Sequence, residues 1–164
     1  MPSGPVRFLL VEDDDAHAEL VLLAMAENQI INPVDRVCDG EAALAFLRRE
    51  GIYADQPQPD IILLDLHLPK IDGHEVLHQL KMDERLKRIP IVIMTTSASE
   101  VDKDRAYSRY ANSYLVKPVD FVQFHQMITA LNLYWTVWNQ PCCSMNGHGT
   151  RRQVARSAAD CAPR

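Results

Sequence analysis

Four apolar residues in a row, Ile61-Ile62-Leu63-Leu64, run without alternation straight into Asp65. A strand with one wet face alternates apolar and polar side chains. A strand without alternation is covered on both faces, as in the middle of a parallel sheet. Parallel neighbours need crossovers, usually helices, and the rest of the chain offers both kinds of element. Val6 to Val11 is an apolar run that stops at Glu12-Asp13-Asp14, and Val34 to Cys38 is a second short strand. Pro90 introduces Ile91 to Met94, which ends at Thr95-Thr96-Ser97, and Tyr114-Leu115-Val116 ends at Lys117-Pro118. Between these runs the apolar spacing is helical. Leu20, Leu23 and Ala24 mark a helix over 16–28 with Asp14 or Asp15 as its N-cap, and Ala43, Leu44 and Leu47 follow the cap Asp39 in a helix closed by Gly51. Val76, Leu77 and Leu80 mark a third helix and 99–110 a more polar fourth. Asp120 with Gln123 makes a capping box for a fifth that runs to about Trp138. Five strands alternating with five helices predict a doubly wound α/β sheet.

The 164 residues hold one ordinary domain, with the domain expected over 1–138 and a disordered tail over 139–164. Residues 1–138 carry 13 Lys and Arg against 21 Asp and Glu. That acidic balance argues against direct binding of nucleic acid, whose phosphates are held mainly by cations. No apolar run is long enough for a membrane span and no signal peptide opens the chain, so a cytoplasmic protein without membrane contact is expected. Of the four cysteines, Cys38 ends an apolar run and reads as a buried reduced thiol. Cys142, Cys143 and Cys161 lie in the tail with His148, at spacing too irregular for a good zinc site.

In doubly wound sheets the ligand site lies beyond the carboxyl ends of the strands. Those ends carry Glu12, Asp13 and Asp14, then Asp65, Thr95 and Lys117. Carboxylates gathered on one rim repel and lose hydration, which a hard divalent cation with oxygen ligands relieves. Mg²⁺ suits a site of few carboxylates and several waters, and Lys117 adds positive charge. Asp65 stands out, because a carboxylate closing a buried strand gains no packing there.

At these residues the chain resembles the response-regulator receiver domain, the CheY-like fold. The resemblance rests on Leu10-Val11-Glu12-Asp13-Asp14, Leu63-Leu64-Asp65-Leu66, Pro69 with Gly73, Met94-Thr95 and Lys117-Pro118, in order over about residues 5–138. More narrowly, Leu64-Asp65-Leu66-His67-Leu68-Pro69-Lys70, the Arg88-Ile89-Pro90 approach to Thr95 and the Trp-containing last helix are similar to single-domain regulators that partner bacterial phytochromes.

The resemblance implies strand order 2-1-3-4-5 and a phosphorelay role, with Asp65 taking a phosphoryl group from a sensor histidine kinase, here a bacteriophytochrome. It implies Mg²⁺ held by Asp13 and Asp65 directly, by Glu12 through water and by the backbone carbonyl of His67. Lys117 would pair with the phosphoryl oxygens and Thr95 would donate its hydroxyl to one. Tyr114 would be the switch aromatic that turns inward, and the Lys117-Pro118 peptide would be cis. Such a protein supports its own Mg-dependent phosphorylation and dephosphorylation without being an enzyme in the ordinary sense. The chain departs from the pattern at Glu12, where Asp is frequent, and at His67, where the narrower group often shows Asn. Competing readings are a scaffold receiver independent of phosphorylation and an aspartyl-nucleophile phosphatase, which would want an Asp at position 67. Too few residues follow Trp138 for an effector domain, so output is expected through protein contact. On the last helix Phe124, Ile128, Leu131, Trp135 and Trp138 form a core-facing stripe, with Leu133, Tyr134 and Val137 off it. A helix apolar nearly all round wants a second burial partner, and a homodimer through it is expected.

Overall fold

The computed structural model describes residues 5–27 and 31–140. The strands are β1 (Phe8–Val11), β2 (Val34–Val37), β3 (Ile61–Leu64), β4 (Ile91–Thr95) and β5 (Ser113–Val116). The helices are α1 (Asp15–Ala26), α2 (Gly40–Arg48), α3 (Gly73–Met82), α4 (Glu100–Ser108) and α5 (Phe121–Leu133). All neighbours pair parallel in the order β2-β1-β3-β4-β5, the expected doubly wound sheet.

The two-residue period of the strands divides the core into two layers. Leu9, Val11, Ile62, Leu64, Ile91 and Ile93 face one way, against Ala43, Leu44 and Leu47 of α2, Val76, Leu77 and Leu80 of α3 and Ala106 of α4. Phe8, Leu10, Ile61, Leu63, Val92 and Met94 face the other way, against α1 and Phe124 and Ile128 of α5. Every residue of β3 is buried, as its lack of alternation requires.

Local chemistry starts each helix. Asp14, Asp39, Asp72, Ser99 and Asp120 each accept a hydrogen bond from the backbone N–H three residues on. Gly51 does not end α2. Arg49 takes the left-handed conformation at φ 58°, with Glu50 N–H closing onto Ala45 O at 2.9 Å. The helix therefore closes before the glycine, which opens a short 3₁₀ turn over Gly51–Tyr53. In α1 the buried residues are Ala18, Val21, Ala24 and Met25, whereas Leu23 is half-exposed.

Below Leu133 the last helix widens into a π turn, Tyr134–Trp138, closed by Asn139 N–H to Tyr134 O at 2.8 Å. This corrects the expected stripe. Phe124 and Ile128 are buried and Leu131 and Trp135 pack against them, but the wider turn slips the phase and leaves Trp138 72% exposed. Thr136 turns inward instead. It joins a buried polar cluster in which Asn32 Nδ2 donates to Asn132 Oδ1 at 2.7 Å and to Thr136 Oγ1 at 2.6 Å. Asn32 Oδ1 also accepts from Val6 N–H at 2.9 Å, so the cluster ties the chain before β1 to the end of α5.

Two further expectations fail. Among the described residues there is no cis peptide bond, so Lys117-Pro118 is trans, the form an X-Pro bond ordinarily prefers. Cys38 is half-buried and disulfide-bonded rather than a buried thiol, since it follows β2 at the edge of the sheet instead of inside it. The expected disordered tail and the cysteines at 142, 143 and 161 lie outside the described residues, apart from Asn139 and Gln140.

Candidate phosphoacceptor site

The pairing of Val11 with Leu64 sets the next residues, Glu12 and Asp65, side by side, and Asp65 N–H donates to Val11 O at 3.1 Å. The pairing of Thr95 with Val116 brings Lys117 to the same rim, with its N–H on Thr95 O at 2.7 Å. The rim predicted from strand ends is thus assembled by sheet register alone.

The ammonium of Lys117 is buried and lies between two carboxylates. It donates to Glu12 Oε2 in a short, buried ion pair and to Asp65 Oδ2 at 3.0 Å. Burial pushes the Glu12 carboxyl above the ordinary range, against the hydrogen bond and charge of Lys117. The ligand oxygens of Glu12, Asp13 and Asp65 all lie within 4.8 Å of one another, with Asp13 exposed and the other two buried. Hard oxygen donors this close together, one open to solvent, fit a divalent cation that keeps part of its water.

The loop after β3 frames Asp65. His67 N–H donates to Asp65 Oδ1 at 3.2 Å, while the residue itself is exposed, so its side chain is not buried against Asp65. Gly73 opens α3 directly behind, where an added Cβ would stand 2.2 Å from Asp65 O and 2.5 Å from Leu66 Cα. No side chain fits that approach. On the far side Arg36 reaches from β2 to the Glu12 carbonyl at 3.0 and 3.1 Å, fixing the acidic turn from its backbone.

Thr95 is fully buried at the end of β4, and its Oγ1 accepts from Ser97 N–H at 3.2 Å. Tyr114 on β5 is partly buried with its hydroxyl donating to Ser97 O at 3.0 Å. Burial raises the phenol above its ordinary value and keeps it a neutral donor. Thr95 and Tyr114 therefore hold the same loop from two sides.

Three groups around the site carried no signal in the sequence pattern. His17, on the first turn of α1, places Nδ1 at 3.2 Å from Lys117 Nζ. Buried His74 sets Nε2 at 3.3 Å from Asp102 Oδ1, and Asp102 Oδ2 accepts from Ser97 Oγ at 2.7 Å. His17 stands four residues past Asp13 and His74 follows Gly73, spacings that become informative once the rim is drawn.

Residues 8–129 match the response regulator receiver domain. The chain belongs to that family. It is 45% identical over 139 residues to the probable methanogenesis regulatory protein FilR2 of Methanothrix harundinacea, spanning 84% of this chain and 88% of FilR2. It is 40% identical over 133 residues to the response regulator Rcp1 of Synechocystis, 81% of this chain and 90% of Rcp1. The solved Mn(2+)-bound form of Rcp1 superimposes with a TM-score of 0.82 at 38% identity, covering 85% of this chain and all of that one. The phosphorylated cyanobacterial phytochrome response regulator RcpA gives 0.82 at 39% identity, covering 84% and 99%. Five parallel strands in the order 2-1-3-4-5 are the receiver fold of these structures.

Proposed function

We propose that this receiver accepts a phosphoryl group on Asp65 from a phosphohistidine of a sensor kinase of the bacterial phytochrome type. The observation that carries the reading is the buried Lys117 ammonium bridging Glu12 and Asp65 beside exposed Asp13. A carboxylate oxygen of Asp65 attacks phosphorus, an O–P bond forms as the P–N bond breaks, and the electron pair stays on the kinase imidazole. Transfer of this kind needs positioning and neutralisation of charge on the phosphoryl oxygens more than covalent help.

The residues divide that work. Lys117 is already held at Asp65 and offers its charge to the incoming oxygens. Thr95, buried at the strand end, has a hydroxyl to give to a phosphoryl oxygen once Asp65 is modified. The same oxygen accepts from Ser97 N–H and Tyr114 holds the Ser97 carbonyl, so a movement of Thr95 toward the phosphoryl oxygen carries the loop and the ring with it. Asp13 and Asp65, with Glu12 through water and the His67 carbonyl, would hold Mg²⁺, which when bound neutralises the phosphoryl oxygens. The same arrangement supports later hydrolysis of the acyl phosphate. The phytochrome assignment is supported by likeness to the cyanobacterial phytochrome response regulator RcpA. FilR2, at 45% identity, carries a methanogenesis name, and a kinase with a different input would phosphorylate Asp65 by the same chemistry.

Intact mass after incubation with Mg²⁺ and a small acyl phosphate tests the acceptor. Wild type gains one phosphoryl group and Asp65→Asn gains none. A gain in both would place the acceptor elsewhere, and a gain in neither would favour a phosphorylation-independent scaffold. Output runs through a second copy docked on the end of α5.

A further inference from the structure

An ammonium has three protons to give. Two of Lys117's go to Glu12 and Asp65, and the third points at His17, whose Nδ1 is 3.2 Å from Nζ. A lysine ammonium cannot accept, so a hydrogen bond there requires a bare Nδ1 and a neutral ring protonated at Nε2. The ring is fixed by its neighbours. His17 N–H bonds to the N-cap Asp14 Oδ1 at 2.9 Å, and the imidazole stacks on buried Phe124 of α5 with centroids 6.3 Å apart and planes at 26°.

We infer that His17 is a positioning residue for phosphoryl transfer, acting as the third acceptor that holds the Lys117 ammonium at the acceptor carboxylate. The inference rests on the reading of Asp65 as phosphoacceptor. When Asp65 is phosphorylated, its oxygen becomes a poorer partner for Lys117, while Glu12 and His17 keep the ammonium where the phosphoryl oxygen arrives. Without His17 the long lysine side chain regains freedom at the step that needs it placed. The stack on Phe124 makes α5 part of this placement, because a shift of that helix turns the ring away from Nζ.

Two substitutions separate acceptor from stack. His17→Phe keeps the ring on Phe124 and removes the acceptor. His17→Asn puts an amide oxygen near the place of Nδ1 and removes the stack. Phosphorylation by a small acyl phosphate with Mg²⁺, followed by intact mass, is expected to slow about tenfold in His17→Phe, the scale of one lost charged hydrogen bond. His17→Asn recovers most of that loss. Equal rates in wild type and His17→Phe, or equal losses in both variants, would overturn the inference. Imidazole ¹⁵N resonances of the unphosphorylated wild type test it without any variant. A bare Nδ1 that shifts on Lys117→Met is expected, and a proton on Nδ1 would overturn it. That spectrum needs no phosphorylation, so failure of wild type to take up phosphoryl would count against the Asp65 reading and leave His17 to be judged by its tautomer.

Discussion

Lys117 concentrates the energetics of the site in one side chain. Two carboxylates, Glu12 and Asp65, are buried beside it, and a buried charge is tolerable only while paired. Lys117→Met removes the partner of both at once. In metal-free buffer the variant is expected to lose about 3 kcal/mol of stability, the scale for breaking a buried pair. Added Mg²⁺ should restore more stability to the variant than to wild type, because the same oxygens are left without a counter-charge. Denaturant midpoints with and without Mg²⁺ check both statements. Gly73 is a second residue on which the site turns. Gly73→Ala drives a methyl into the Asp65 carbonyl, and the displaced loop should cut phosphoryl uptake at least as strongly as it lowers the melting temperature.

Among the elements, α3 and α4 are linked by a titratable contact. Burial lowers the His74 imidazole below its usual value, with the hydrogen bond to Asp102 only partly opposing it. The bond from Ser97, and then that to His74, lowers the Asp102 carboxyl. For His74 the folded value lies below the unfolded one, so the unfolded chain binds the proton first as pH falls beneath the unfolded value of about 6.5. Stability is thus complete above that pH and declines as His74 is forced to charge. Asp102 adds a further loss at lower pH, beginning below its ordinary carboxylate value and complete once the pH has passed its own lowered value. Thermal midpoints between pH 7.5 and 5 should fall for wild type and flatten for His74→Gln.

The elements also show what the sequence could and could not tell. Strand ends were legible because an apolar run and the polar residue that stops it are adjacent in the chain. The Asp39 and Asp120 caps were legible because a cap reaches only three residues, and the structure decides between Asp14 and Asp15 in favour of Asp14. Trp138 was misassigned because the π turn is selected by partners far away: Asn132 and Thr136 turn inward to meet Asn32, a hundred residues earlier. Helical spacing alone continues the α phase through that turn. The Lys117–His17 and His74–Asp102 contacts were hidden for the same reason, since each joins elements that only the folded sheet brings together.

For the whole molecule, the sheet separates the helices by task. On one face α2, α3 and α4 cover the sheet, with α4 following the β4–α4 loop that Thr95 and Tyr114 hold, and on the other the His17 ring of α1 stacks on Phe124 of α5. No described helix is long and apolar enough to cross a membrane. Past Ile128 the last helix shows Leu133, Tyr134, Val137 and Trp138, each about half-exposed or more. For a dimer through this surface, light scattering of the full chain should give twice the chain mass, with Val137→Arg reducing it to one. A single-chain mass for wild type at micromolar concentration would remove this output route.

Both tryptophans of the chain fall inside the π turn, Trp135 packed against the core and Trp138 open to solvent. Intrinsic tryptophan emission from this protein is therefore a local signal with a shielded and a wet component, reporting on one turn of one helix. A collisional quencher reaches Trp138 first, and a second copy seated on that turn would screen it. The molecule thus carries its own optical gauge of whether events at Asp65 are felt at the far end of α5.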